Sequence, residues 1–104
     1  MSGLRDGYLR ARNASAMTVP VSIPSPLYSY TGNQREVSAI GETIGEVMRD
    51  LDRQFPGLRF RIITEQDTVR PHIKLYVNEE LVNRLDAKLA PGDRVHIITA
   101  LSGG

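Results

Sequence analysis

Few side chains in this 104-residue sequence could do chemistry: two histidines, His72 and His96, one adjacent carboxylate pair, Glu79-Glu80, and no cysteine. Imidazoles could ligate a metal or move a proton, but spacing alone does not bring these two together, and ordinary surface placement accounts for both. Adjacent glutamates on a strand or turn diverge, so the pair suits a solvated loop better than acid–base work. Without cysteine there is no disulfide, thiolate metal site or thiol nucleophile. Also missing are a Gly-x-Ser-x-Gly elbow, an HExxH pair and a GxxxxGK[ST] phosphate loop. A self-contained enzyme is therefore not expected. Arg59-Phe60-Arg61 has a basic-aromatic pattern, but it is too short to track a nucleic-acid strand. Gly41 and Gly45 flank a helix start that could hold an anion, yet Glu42 and Glu46 already supply negative charge there.

The remaining candidate is a backbone carboxylate. The sequence closes on Leu101-Ser102-Gly103-Gly104, and glycine has no Cβ to hinder passage through a narrow tunnel or close approach of another backbone. Such a tail suits delivery of the Gly104 carboxylate into a second protein's active site. The plain alternative is a small, frayed terminus without a role.

The elements that would position this tail can be read from periodicity. Val19, Val21 and Ile23 alternate with Pro20 and Ser22 as a half-buried strand whose prolines restrict its free ladder positions. After a long loop ending at Thr31-Gly32-Asn33, Arg35, Val37 and Ala39 suggest a second strand. Thr43-Ile44-Gly45-Glu46 is a capping box. The helix it opens carries Ile44, Val47, Met48, Leu51 and Phe55 on its buried face and Glu46, Arg49, Asp50, Asp52 and Arg53 on its wet face, until Pro56-Gly57 stops it. Leu58 to Thr64 has strand character. Ile73, Leu75 and Val77 alternate with Lys74 and Tyr76, Asn78-Glu79-Glu80 turns the chain, and Leu81-Val82 resume. A last strand runs from Arg94 toward Leu101, after the turn Leu89-Ala90-Pro91-Gly92-Asp93. One amphipathic helix over a mixed sheet is an α+β arrangement, and the β-grasp fold, with first and last strands side by side, is the solution that fits.

Composition agrees with one folded domain: 40% hydrophobic and 24% charged residues leave no room for wholesale disorder. Thirteen basic against twelve acidic residues give a formal charge of +1, too balanced to recruit nucleic acid or anionic lipid. No apolar run reaches the roughly twenty residues of a membrane helix, and no signal-peptide segment is present, so a cytoplasmic protein is expected. Residues 1–16 carry Arg5, Arg10 and Arg12 without apolar period and read as a disordered extension. They are faintly like an organelle transit peptide, and Met17 could be a second translation start. Residues 17–101 form the expected domain and 102–104 a flexible tail.

Together, Tyr76-Val77-Asn78-Glu79-Glu80-Leu81-Val82, the run Leu89-Ala90-Pro91-Gly92-Asp93-Arg94-Val95-His96-Ile97 and the ending Ala100-Leu101-Ser102-Gly103-Gly104 resemble the MoaD/ThiS family of ubiquitin-like sulfur carriers. The resemblance covers about Val19 to Gly104. Ile23-Pro24-Ser25-Pro26-Leu27 with Tyr30-Thr31-Gly32 looks most like the branch serving cysteine-type or siderophore sulfur transfer. It implies a protein substrate rather than an enzyme. A ThiF/MoeB-like activating enzyme would adenylate the Gly104 carboxylate with ATP, and a sulfur donor would convert it to a thiocarboxylate for an acceptor enzyme. No bound cofactor is expected, and a chain ending at Gly104 would need no trimming.

Alternation puts His96 and Ile98 on the outer face of the last strand and Lys74 and Tyr76 outward on the strand before it. By resemblance the activating enzyme docks on this face and near Leu81; an isolated surface hydrophobe at Ile98 is the plain alternative. Three other functions stay open: the small subunit of molybdopterin synthase, a ubiquitin-like modifier joined to lysines, and a binding module with an incidental diglycine.

Overall fold

The computed structural model describes residues 18–100, so the expected extension 1–16 and the tail residues Leu101, Ser102, Gly103 and Gly104 lie outside the described residues. Five strands, β1 (Thr18–Ser22), β2 (Glu36–Ile40), β3 (Ile73–Val77), β4 (Glu80–Leu81) and β5 (Val95–Thr99), form one mixed sheet in the order β2-β1-β5-β3-β4. The first and last strands are parallel neighbours at its centre, as the β-grasp expectation requires.

Proline shapes that central pairing. Ile23 N–H donates to Arg35 O at 2.8 Å, which turns the odd-numbered amides of β1 toward β2 and leaves the missing donors of Pro20 and Pro24 on the β5 side. The parallel ladder accordingly runs through Val21↔Val95 and Ser22↔His96. The long β1–β2 connection contains a 3₁₀ helix, Ser25–Tyr30, that buries Leu27.

Helix α1 (Ile44–Gln54) crosses the inner face of the sheet and buries Ile44, Val47, Met48 and Leu51 against a core that includes Val21, Ala39, Leu75 and Ile97. The Thr43 hydroxyl accepts from Glu46 N–H at 3.1 Å, while Glu46 Oε1 accepts from Glu42 N–H at 2.8 Å, one residue earlier than a standard box. Gly41 lies where strand exit and helix meet: a Cβ there would stand 2.7 Å from Val47 N. Its lack of a side chain therefore serves close packing.

Two expectations are corrected. Asp50, assigned to the wet face, is buried at 7% exposure. It accepts from Ile40 N–H at 3.0 Å and from Gln54 Nε2 at 2.8 Å and pairs with Arg53. Gln54 Nε2 also donates to Ser38 O at 2.8 Å, so two helix side chains occupy polar groups on the free edge of β2.

The second correction is Leu58 to Thr64, read as a strand. It holds a short helix, α2 (Leu58–Ile62), that buries Leu58 and Ile62, with Ile63 buried just beyond its end, and leaves Phe60 52% exposed. Both ends are held from elsewhere. Asp52 Oδ1 accepts from Gly57 N–H (3.1 Å) and Arg59 N–H (3.2 Å), and Arg70 donates its backbone N–H to Ile62 O (2.9 Å) and its Nε to Phe60 O (2.7 Å). An anion at the N-terminal amides and a cation at the C-terminal carbonyls suit a helix, whatever the alternation of its apolar residues.

Candidate functional site

Everything in the sheet leads to the end of β5. That strand pairs with β3 along its length, from Val77↔Val95 to Ile73↔Thr99, and the next residue, Ala100, still donates its N–H to His72 O at 2.7 Å. The chain is therefore held to the sheet up to the point where the Leu101-Ser102-Gly103-Gly104 segment begins.

The outer sheet face collects the residues expected to dock a partner. Register aligns Leu81, Tyr76, His96, Ser22 and Glu36 in one row across all five strands, and Lys74 stands opposite Ile98 in the next. Leu81 is 49% and Ile98 45% exposed, while Lys74, Tyr76 and His96 are half-buried. Lys74, Tyr76, Leu81, His96 and Ile98 thus share one face, beside the strand that delivers the tail. Glu36 also receives Arg94 Nη1 at 2.5 Å, reaching across β1.

The two hairpin turns that frame this face are joined. Asn78, in a left-handed conformation at φ 58°, exchanges backbone and side-chain bonds with Arg94: its N–H donates to Arg94 O (2.8 Å) and its Oδ1 accepts from Arg94 N–H (3.1 Å). Its Nδ2 donates to Asp93 Oδ1 (3.0 Å), whose Oδ2 takes Ala90 N–H (2.8 Å). Hydrogen bonds from the Ala90 amide and then Asn78 hold the Asp93 carboxyl below the usual aspartate range.

Other candidates are spent on the fold. The first amides of α1 are taken: Ile44 N–H by Ala87 O, Gly45 N–H by Leu85 O and Glu46 N–H by Thr43, so the anion site considered at Gly41 and Gly45 has no donors to offer from these three. The broad hollow of about 900 Å³ beside it is crossed by the ion pairs Arg59–Asp67 and Arg84–Asp86. Glu79 and Glu80 are exposed at the β3–β4 turn. His72 and His96 lie at separate levels of the sheet, and among the described residues no cluster of three metal-ligating side chains occurs. Likewise, no described helix is long and apolar enough to cross a membrane.

Two features escaped the sequence reading: the exposure of Phe60, and that of Ile40 at 41%. Phe60 lies in step with Leu58 and Ile62, which are core, and only the tertiary arrangement separates it from them, whereas alternation with Val37 and Ala39 already places Ile40 on the outer face.

A family model for the ThiS family matches residues 21–104. The chain belongs to the ThiS family. The sulfur carrier protein CysO of Mycobacterium tuberculosis is 39% identical over 93 residues, covering 85% of this chain and all of that one. Small archaeal modifier protein 3 of Haloferax volcanii is 35% identical over 65 residues, 60% of this chain and 70% of that one. In the crystal structure of the Amycolatopsis orientalis BexX/CysO complex, a chain 35% identical superposes with a TM-score of 0.77, covering 83% of this chain and 99% of that one. The expected family and ubiquitin-like β-grasp fold are both found.

Proposed function

We propose that this protein is a cytoplasmic sulfur carrier and not a catalyst: its Gly104 carboxylate attacks the α-phosphorus of ATP in a ThiF/MoeB-like activating enzyme, releasing pyrophosphate, and a sulfide-level donor then attacks the acyl carbon through sulfur and expels AMP, leaving a thiocarboxylate. The observation that carries this reading is the match to a sulfur carrier over 85% of this chain, on a chain whose Gly103-Gly104 follows closely on β5. Adenylation turns a poor acyl electrophile into a reactive one. The folded domain supplies binding energy away from the reacting atoms and keeps sulfide tethered beside its acceptor. On this reading the carrier itself binds no cofactor and ATP belongs to the activating enzyme. Lys74, Tyr76, Leu81, His96 and Ile98 form the docking face, and a sulfur-accepting synthase uses the tail next.

Intact mass spectrometry of the protein from its native cell tests this. Exchange of one oxygen for sulfur at Gly104, lost when Gly104 is deleted, is the expected result. Sulfur still carried after that deletion overturns the scheme. The relationship to an archaeal modifier protein favours a second reading, conjugation to lysines. Reductant-resistant higher-mass species that vanish on Gly104 deletion would move the assignment there.

A further inference from the structure

Where β5 ends, a second hollow of about 390 Å³ opens between α2, the 3₁₀ helix and the start of β3, lined by Pro26, Leu27, Phe60, Arg61, Arg70 and His72, with Thr99 on its rim. Its character differs from that of the larger hollow. Two arginines and a histidine line it with no carboxylate among the lining residues. Neither Arg61 nor Arg70 forms an ion pair with any described residue. Arg70 is held in place: Nε donates to Phe60 O at 2.7 Å and its guanidinium carbon stands 4.5 Å over the Phe60 ring. Only Nε is used in that hydrogen bond, and the two terminal nitrogens remain for a planar acceptor. Phe60 itself is 52% exposed, so an aromatic surface, the held Arg70 and the exposed Arg61 face solvent together near the end of β5.

We propose that this hollow receives an acidic peptide segment of the enzyme that takes up the tail, with a carboxylate on Arg61 and Arg70 and an apolar side chain against Phe60. Two observations select that occupant. The lining is cationic and apolar at once, which a bare anion would only half satisfy. The hollow is also continuous with the end of β5, through Thr99 and the Ala100–His72 bond, so it lies within reach of a protein that binds the chain where it leaves the sheet. The inference takes the existence of a tail-receiving partner from the carrier reading, but its test does not depend on sulfur chemistry.

The test titrates the full-length protein with the capped peptide Asp-Glu-Phe-Asp-Glu and its uncharged counterpart Asn-Gln-Phe-Asn-Gln, following backbone amides by NMR. Shifts confined to Phe60, Arg61, Arg70, His72 and Thr99 with the acidic peptide alone are expected. Arg61→Gln, which removes a charge without touching the α2 cap, should weaken binding about tenfold, and Arg70→Lys, which keeps the charge but loses the planar fork, should weaken it as well. The proposal is overturned if the shifts map to Lys74, Leu81 and Ile98 instead, if Arg61→Gln binds as the parent does, or if inorganic phosphate reproduces the full pattern. Mass spectrometry of Gly104 is scored separately, so either reading can fail alone.

Discussion

The Asn78 carboxamide donates to Asp93 Oδ1 across 3.0 Å, joining the turn after β3 to the turn before β5. The two residues belong to different runs among the three that carry the family resemblance, and the bond ties those two runs together. Asn78 tolerates its positive φ better than most residues, and its side chain then reaches both Asp93 and the Arg94 amide. The result fixes where β5 starts. Asn78→Gly, which keeps the backbone conformation, should cost about 1–3 kcal/mol from the lost hydrogen bonds, and Asn78→Ala about 1 kcal/mol more from left-handed strain. Urea unfolding with an unchanged m-value checks both.

On the opposite side of the sheet the free edge of β2 depends on α1. Asp50 takes Ile40 N–H and Gln54 supplies a donor to Ser38 O, while the adjacent Ile40 side chain is exposed. The double variant Asp50→Ala/Gln54→Ala bares a polar and partly apolar edge that can pair with another chain. It should be less stable than the parent and sediment as a larger, concentration-dependent species. Sedimentation velocity unchanged across concentration would show that these side chains do not guard the edge.

Acid should act through the same carboxylates. Burial pushes the Asp50 carboxyl up, but hydrogen bonds from the Ile40 amide, Gln54 and Arg53 outweigh it, and the net position is below the usual aspartate range. Asp93 is lowered by the Ala90 amide and Asn78. A carboxyl with a depressed folded-state pKa contributes stability that is complete above its unfolded pKa and disappears as pH falls through the folded value. Stability should therefore decline as pH is lowered through the usual aspartate range and on through the lower folded-state values, and Asp50→Asn should flatten part of that decline. Chemical denaturation repeated at several pH values measures the slope.

Much of this was legible in the sequence because single residues dictate local geometry. Thr43 and Glu46 mark a helix start, Gly92 adopts the positive φ of a turn at 91°, and alternation in Ile73, Leu75 and Val77 separates the two sheet faces. What stayed illegible depended on distant partners. Leu58, Phe60 and Ile62 alternate like a strand, but Asp52 and Arg70, supplied from outside the segment, fit its ends as a helix. Asp50 looks like a solvent residue until β2 presents it with an unpaired amide. The hollow at the end of β5 is likewise built from four separate stretches of chain, and no spacing encodes it.

The outer face offers the sharpest mutational contrast. Leu81 and Ile98 are about half exposed and pack into nothing among the described residues that would anchor the core, so glutamate at either position should change stability by no more than about 0.5 kcal/mol. If an activating enzyme buries them as anchors, each charge should cost about 2 kcal/mol of docking, near 30-fold in kcat/KM for adenylation measured by pyrophosphate release. Ile40→Glu is the control, because Ile40 is similarly exposed but lies opposite Thr18, at the far end of the sheet from the tail. Selective loss in Leu81→Glu and Ile98→Glu assigns the face to docking. Equal rates in all three variants would leave Ile98 a solitary surface hydrophobe, and the tail would have to be presented from another side of the domain.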